Sequence, residues 1–329
     1  MGGDNAPDEI VKGCIEAVKT KEGFEIELIG AENEINRILK KYNFRNERII
    51  ITNASQVISN DEKPTEAIRH KKDSSMVIGL NKIRENPGIV FISAGSTGAL
   101  LAGTLLIAGR IKGVSRPALA PIVPSLTGGT MIIDAGMNTI CRPINYAQFA
   151  IMGSIYMQQM LKKENPRVGL VNIGTEDEKG NDTLKETLPI LRKCGVNFIG
   201  NIEGRDIAEG KVDVAVCDGF TGNAMLKMME GTGKYFFQNI KRIFNSDLFT
   251  KISALLVKAH IKKLKDSVDP EVIGGTPILG IDGIVFKCHG NSKAKAIRNT
   301  ILNACNVTKS AFIDQIRDRF STMEVKFNA

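Results

Sequence analysis

The apolar runs of this chain are short, β-branched and separated by stretches of helix length, and this alternation restricts the fold more than any other property. Strand-length runs fall at residues 24–29, 48–52, 89–93, 131–134, 168–172, 198–202, 212–217 and 284–288. Helical spacing appears at 9–20, 32–41, 66–68, 75–84, 97–108 and 146–163. Strands that alternate with helices require right-handed crossovers. The expected class is therefore α/β, with a mostly parallel sheet and helices on both faces. The 329 residues amount to about two average domains, or to one large α/β unit with an excursion. No internal repeat or low-complexity linker divides them. Asn86-Pro87-Gly88 reads as a turn, and Met1-Gly2-Gly3-Asp4-Asn5-Ala6-Pro7 as the end of a βα connection whose strand is missing.

The excursion lies at 245–268. Leu248, Ile252, Leu255, Leu256 and Ala259 fall at helical spacing, while Lys251, Lys258, Lys262 and Lys265 lie largely off that stripe. A basic amphipathic helix packs on its own chain or a second subunit, or lies on an anionic bilayer.

In open α/β sheets, ligands bind outside the carboxyl ends of the strands, so the loops after strands 168–172 and 212–217 become candidate sites. The first reads Asn172-Ile173-Gly174-Thr175-Glu176-Asp177-Glu178-Lys179-Gly180-Asn181, and the second Asp218-Gly219-Phe220-Thr221-Gly222-Asn223. Lys179 is either a surface lysine or a cation for phosphate or an oxyanion. Asn223 is either a helix N-cap or an amide donor beside a reacting carbonyl. A third turn, Ser93-Ala94-Gly95-Ser96-Thr97-Gly98, leads from a strand into a helix and offers backbone N–H groups to an anion. It lacks the Gly-Lys-Ser/Thr of a P-loop and the spacing of a dinucleotide fingerprint. His289 follows Cys288 at another strand end, and the two side chains should point to opposite faces. His70 and His260 read as surface residues. Asp134, Asp213 and Asp218 flank strands without metal-ligand spacing.

Six scattered cysteines without C-x-x-C spacing read as reduced, mostly buried thiols, not as disulfides or a zinc site. A net charge of +8 favours acidic partners. The 5% aromatic content, with no tryptophan, gives no stacking platform for nucleic acid. No run approaches the roughly 20 apolar residues of a membrane span, and no secretory signal opens the chain.

Taken in order and spacing, these loops resemble the bacterial phosphate acyltransferase (PlsX) family of phospholipid synthesis. The likeness covers nearly the whole chain. It rests on Met1-Gly2-Gly3-Asp4-Asn5-Ala6-Pro7, Ser93-Ala94-Gly95-Ser96-Thr97-Gly98-Ala99 and Arg116-Pro117-Ala118. Gln148-Phe149-Ala150-Ile151-Met152-Gly153, Asn172-Ile173-Gly174 with Lys179-Gly180-Asn181, and Glu203-Gly204-Arg205-Asp206 continue it. Asp218-Gly219-Phe220-Thr221-Gly222-Asn223, Gly274-Gly275-Thr276-Pro277-Ile278-Leu279-Gly280 and His289-Gly290 complete it. The chain departs from the family at Ser96, where an Asn is usual, at Gly136-Met137-Asn138 and at Gly275-Thr276-Pro277. It also lacks the short strand that usually precedes the family's Gly-Gly-Asp.

The resemblance implies a three-layer αβα sandwich of the phosphate acetyltransferase and isocitrate dehydrogenase type, one domain over 1–329 with a helical tip at 245–268. It implies a homodimer that moves a long-chain acyl group from acyl carrier protein to inorganic phosphate, without a cofactor or metal. The acyl phosphate would feed a membrane glycerol-3-phosphate acyltransferase. The enzyme would be cytoplasmic and peripherally membrane-associated through Leu255 and Leu256. Phosphate would attack the thioester directly, with Lys179 and Asn223 catalytic. Gly95, Ser96, Thr97, Gly98, Gly174, Asp218 and His289 would hold substrate. A covalent route would need Cys217 or Cys288. A metal- and NAD-dependent decarboxylating dehydrogenase of the same fold, and a membrane scaffold without catalysis, stand as alternatives.

Overall fold

The computed structural model describes residues 1–86, 88–268, 270–308 and 312–327, which leaves Pro87 of the expected turn outside the description. The side chains of 265–270, and so that of Lys265, are also outside it. The chain opens with α1 (Asp8–Thr20), β1 (Ile26–Gly30), α2 (Glu32–Lys41), β2 (Ile49–Asn53), α3 (Pro64–His70) and α4 (Ser75–Glu85). Next come β3 (Val90–Ser93) and α5 (Thr97–Gly103), which runs on into a π-helical turn over Thr104–Ala108. The sequence reads 97–108 as one α-helix; the last turn widens instead. Then follow β4 (Ala118–Leu119), β5 (Ile122–Ser125), β6 (Gly128–Ile133), α6 (Pro143–Leu161), β7 (Arg167–Val171), α7 (Asp182–Lys193) and β8 (Asn197–Ile202). They lead to α8 (Gly204–Glu209), β9 (Val214–Val216), α9 (Gly219–Phe244), α10 (Leu248–Val268) and α11 (Pro270–Ile273). The last elements are β10 (Thr276–Leu279), β11 (Ile284–Lys287), α12 (Ala294–Val307) and α13 (Phe312–Phe327).

The strands are not one continuous ladder. They form a β1-β2 pair, a four-stranded sheet in the order β3-β11-β10-β4, and a five-stranded sheet in the order β5-β6-β9-β7-β8. Parallel pairing dominates; the antiparallel pairs are β5 with β6 and β10 with both β4 and β11. Sequence reading misses β4, β5 and β10. They are short, and Pro121, Pro124 and Pro277 interrupt their apolar pattern.

Alternation along the strands builds the layers. In the five-stranded sheet, Met131, Ile133, Val168, Leu170, Val214 and Val216 face one core with Phe149 and Met152 of α6. Ile132, Val171, Ala215 and Cys217 face the opposite core, where Ile207 of α8 and Met225 of α9 pack. With helices on both faces, the strands read as unbroken apolar runs.

A cavity of about 460 Å³ lies between β1 and β3, with Val11, Leu28, Ile92 and Ile297 among its lining. The two strands are not bonded to each other. Its walls therefore carry strand-edge amides, which a hydrocarbon chain would leave unpaired. Lys179, Asn223 and His289 do not line it.

Helix α10 covers 248–268 of the expected excursion, and among the described residues its apolar stripe is left largely exposed. Leu255 is 70% and Leu256 79% exposed, and Leu248, Phe249 and Ile252 are exposed beside them. Lys251, Lys258 and Lys262 are exposed as well. Among the described residues, no helix is long and apolar enough to cross a membrane.

Candidate active site

The turn after β6 is built around a buried carboxylate. Asp134 accepts hydrogen bonds from Leu119 N (2.9 Å), Met137 N (3.0 Å), Asn138 N (2.6 Å) and Asn138 Nδ2 (2.9 Å). Burial pushes its pKa up, and these donors work in the opposite direction. The turn places Gly136 against Asn223: a Cβ built at Gly136 would stand 3.8 Å from Asn223 Oδ1. Gly136 has φ +132°, a conformation open to glycine and strained for other residues.

The start of α9 docks on this turn. Gly219 N donates to Asn138 O at 2.7 Å. A Cβ at Gly222 would lie 1.9 Å from Asp134 O, so the helix reaches this close only because the residue is glycine. The N-cap is Asp218, whose carboxylate accepts from Thr221 N and Thr221 Oγ1, both at 2.9 Å. Asn223 is therefore not a cap, as it could have been from sequence. It is the fifth residue of α9, at the start of the second turn, and is exposed.

β7 and β9 pair in parallel, with Leu170 opposite Val216. The turns that begin at Asn172 and Asp218 therefore leave from the same end of neighbouring strands. Asn172 is buried; its Nδ2 donates to Lys179 O (3.0 Å) and its Oδ1 accepts from Ile173 N (2.8 Å). Asn201, at the end of β8, donates to Glu176 O at 2.9 Å. Asp177 pairs with Arg192 of α7. These contacts hold the loop and leave Lys179 exposed at its end, just before Asn181 caps α7. Among the described residues, the Lys179 ammonium makes no hydrogen bond or ion pair. A Cβ at Gly174 would meet Lys179 Cγ at 3.1 Å, so the two are in contact across the loop.

The glycine turn and His289 come from the four-stranded sheet. Ser96 is buried and caps α5 through Ala99 N (3.4 Å), while Thr97 is exposed and Gly98 half-buried. Gly95 is buried, and Asp4 N reaches Gly290 O at 2.8 Å. Cys288 turns inward to Thr300 Oγ1 (3.4 Å), and His289 turns the other way, with Nε2 3.7 Å from Glu230 Oε1 of α9. The opposite orientation expected of that pair is present. Burial lowers the His289 pKa, and nearby Lys287 adds to the effect. Burial also pushes the Cys288 thiol up to about 11 and the Cys217 thiol well above the ordinary range. Both are therefore protonated at neutral pH and are poor nucleophiles.

A family described as "Fatty acid synthesis protein" matches residues 1–315. A relative named phosphate acyltransferase from Acetivibrio thermocellus is 53% identical over 326 residues, 99% of this chain and 96% of its own. Another of that name, from Thermoanaerobacter pseudethanolicus, is 49% identical over 323 residues, 98% of this chain and 96% of its own.

The chain belongs to this family.

Its class is acyltransferase. A phosphotransacetylase from Streptococcus pyogenes superposes with a TM-score of 0.63 at 16% identity, over 92% of this chain and 91% of its own. The EutD phosphotransacetylase from Staphylococcus aureus gives 0.59 at 13%, over 94% and 95%. At such identities these two speak for the fold alone. Within the family fold, Lys179 and Asn223 follow neighbouring parallel strands, and Asp218 caps the helix that carries Asn223. The glycine turn and His289 belong to the other sheet. They reach the first group through α9, by Glu230, and through Met137, which packs on the cluster that holds Ala99 and Leu100. No hydrogen bond or ion pair joins Lys179 to them among the described residues. Leu255 and Leu256 lie on α10. Sequence reading assigns no role to Asp134, Asn138 or Asn201, which hold the loops. A polar residue at or near a strand's carboxyl end, within two residues of a glycine, is the signal they share.

Proposed function

We propose that the chain transfers a long-chain acyl group from an acyl carrier protein thioester to inorganic phosphate. The reading is carried by the unengaged ammonium of Lys179 and the exposed amide of Asn223, on turns that follow adjacent parallel strands. The relatives' name, phosphate acyltransferase, supports the acceptor. A phosphate oxygen attacks the thioester carbonyl, a C–O bond forms, and the oxyanion collapses with cleavage of the C–S bond. The carrier leaves as a thiolate and takes a proton from water. Phosphate is anionic at neutral pH and a thiolate is a fair leaving group, so positioning and charge stabilisation matter more than a strong base. Lys179 holds phosphate or the developing oxyanion; Asn223 donates to the oxyanion. Backbone donors near Gly95, Thr97, Gly98 and Gly174 complete the anion site, and Ser96 acts through its cap on α5.

The chain acts in this reading as one domain and as a homodimer, in the cytoplasm. Its tip lies on anionic membrane, where a glycerol-3-phosphate acyltransferase takes up the acyl phosphate. The basic surface steers the acidic carrier, so the rate at low carrier concentration falls with added salt. The test is release of free carrier from a long-chain acyl-carrier thioester, with and without phosphate. Phosphate-dependent release with a hydroxylamine-sensitive product is expected. No release from folded protein overturns the reading.

A further inference from the structure

One turn along α9 from Asn223 stands a second charged group that the chemistry above does not use. Lys227, Glu230 and Lys234 lie on α9 within electrostatic reach of Lys287 and His289 at the end of β11. Glu230 Oε2 accepts from Lys227 Nζ at 2.8 Å, and Oε1 faces His289 Nε2 at 3.7 Å. Among the described residues, one carboxylate, Glu230, thus faces three ammonium groups and an imidazole. Lys287 is the least compensated: it is half-buried, and its ammonium has no hydrogen bond or ion pair among the described residues. Burial lowers its pKa most, Lys227 adds to this, and the Glu230 charge opposes it without reversing the direction.

A partly desolvated ammonium with no partner is costly unless a ligand supplies the opposite charge. The group also adjoins the reaction region. Lys227 is four residues from Asn223, about 6 Å along the helix. Gly290 meets the glycine turn at Gly3, where a built Cβ would touch both Ala94 O and Gly290 O at 3.0–3.3 Å. We propose that Lys287, with Lys227 and His289, binds a phosphate group of the substrates. That group is either the free acceptor or the phosphodiester of the donor's pantetheine arm, so the inference rests on the acyl-transfer reading.

The test uses the full chain with Lys287→Met, which keeps the aliphatic stem and removes the charge. Lys227→Met, on the helix surface, serves as a second variant should the first not fold. Michaelis constants are measured for phosphate and for the acyl-carrier thioester, and the melting shift caused by phosphate is measured without turnover. The expected result is a rise of about tenfold or more in one KM with kcat changed less than about threefold, reversed by Lys287→Arg. A higher KM for phosphate with loss of the melting shift identifies the free acceptor. A higher KM for the thioester with the shift retained identifies the donor's phosphodiester. Both constants within twofold of the parent overturn the proposal. If the parent itself shows no turnover, the acyl-transfer reading fails and the melting shift decides alone: loss in Lys287→Met upholds the anion site, and a shift that is retained, or absent in the parent, overturns it.

Discussion

Removing the Asp134 carboxylate should unseat both the turn after β6 and the start of α9. In Asp134→Ala, the amides of Leu119, Met137 and Asn138 lose their acceptor. Asn138 Nδ2 keeps a bond to Pro117 O at 2.8 Å, so it is not stranded. Leaving a buried donor unsatisfied costs about 1–3 kcal/mol. Three such amides, with water entering the vacated space, give a loss of about 3–5 kcal/mol. That is a large part of the roughly 5–15 kcal/mol that holds a typical domain. Asp134→Asn is the graded control. Its better rotamer keeps an oxygen toward Met137 and Asn138 and turns its NH₂ toward Leu119 N, so one amide is stranded instead of three. It also removes a buried charge, and the loss should be about 1–3 kcal/mol. Urea unfolding provides the assay: the midpoint should fall in the order parent, Asn, Ala, with the slope unchanged. Activity should fall too under conditions where the variants remain folded, because Gly219 N bonds to Asn138 O and Gly136 abuts Asn223. An Ala variant that loses less than about 1 kcal/mol, or no more than the Asn variant, would refute the argument.

Lys179→Ala and Asn223→Ala should each lower turnover by about 10²–10³ with unfolding midpoints unchanged, as for the loss of one oxyanion donor; near-normal turnover in either removes that residue from the chemistry. Gly222→Ala should destabilise strongly because its methyl would fall 1.9 Å from Asp134 O, whereas Gly231→Ala in the same helix meets open space and should stabilise by about 0.5–1 kcal/mol; calorimetry that ranks them the other way sinks the packing account. For Asp213, burial raises the pKa, but the Arg167 bonds and the Lys163 charge outweigh it and hold the carboxyl below its ordinary value. The pairing thus stabilises fully above the unfolded pKa of about 3.9 and is lost as pH falls through the lower folded value. The stability gap between the parent and Asp213→Asn should accordingly be open at pH 7 and close below about pH 4; a gap that stays constant from pH 7 to 3 contradicts the pairing. Leu255→Glu with Leu256→Glu should abolish binding to anionic vesicles and leave activity on soluble substrate unchanged, and vesicle binding that persists rules out the tip as the anchor.

The contrast between β7 and Lys287 explains what could be read from sequence. The run Arg167–Val171 is buried on both faces, so local composition alone marks it as a strand, and the ligand-bearing turn after it follows from the sheet class. The same logic finds β9 and the turn at Asp218. It fails at β4, β5 and β10, which are short and have prolines in or beside them that mask the pattern, and the pairing of β4 with β10 joins segments far apart in the chain. Asn223 could be read as a cap because Asn is a capping type, yet Asp218 takes that place, five residues earlier and two past the end of β9. Asp134 is visible as a strand-end acid, but its role depends on Leu119 and on the arrival of α9, neither of which is local. Lys287 at the end of a strand gives no signal of its own. Its electrostatic surroundings include Lys227 and Glu230 of α9, which are about 60 residues away in sequence and so invisible to local pattern. Local pattern thus marks where the strands end, while the charges that gather at the end of β11 depend on α9, a distant part of the chain.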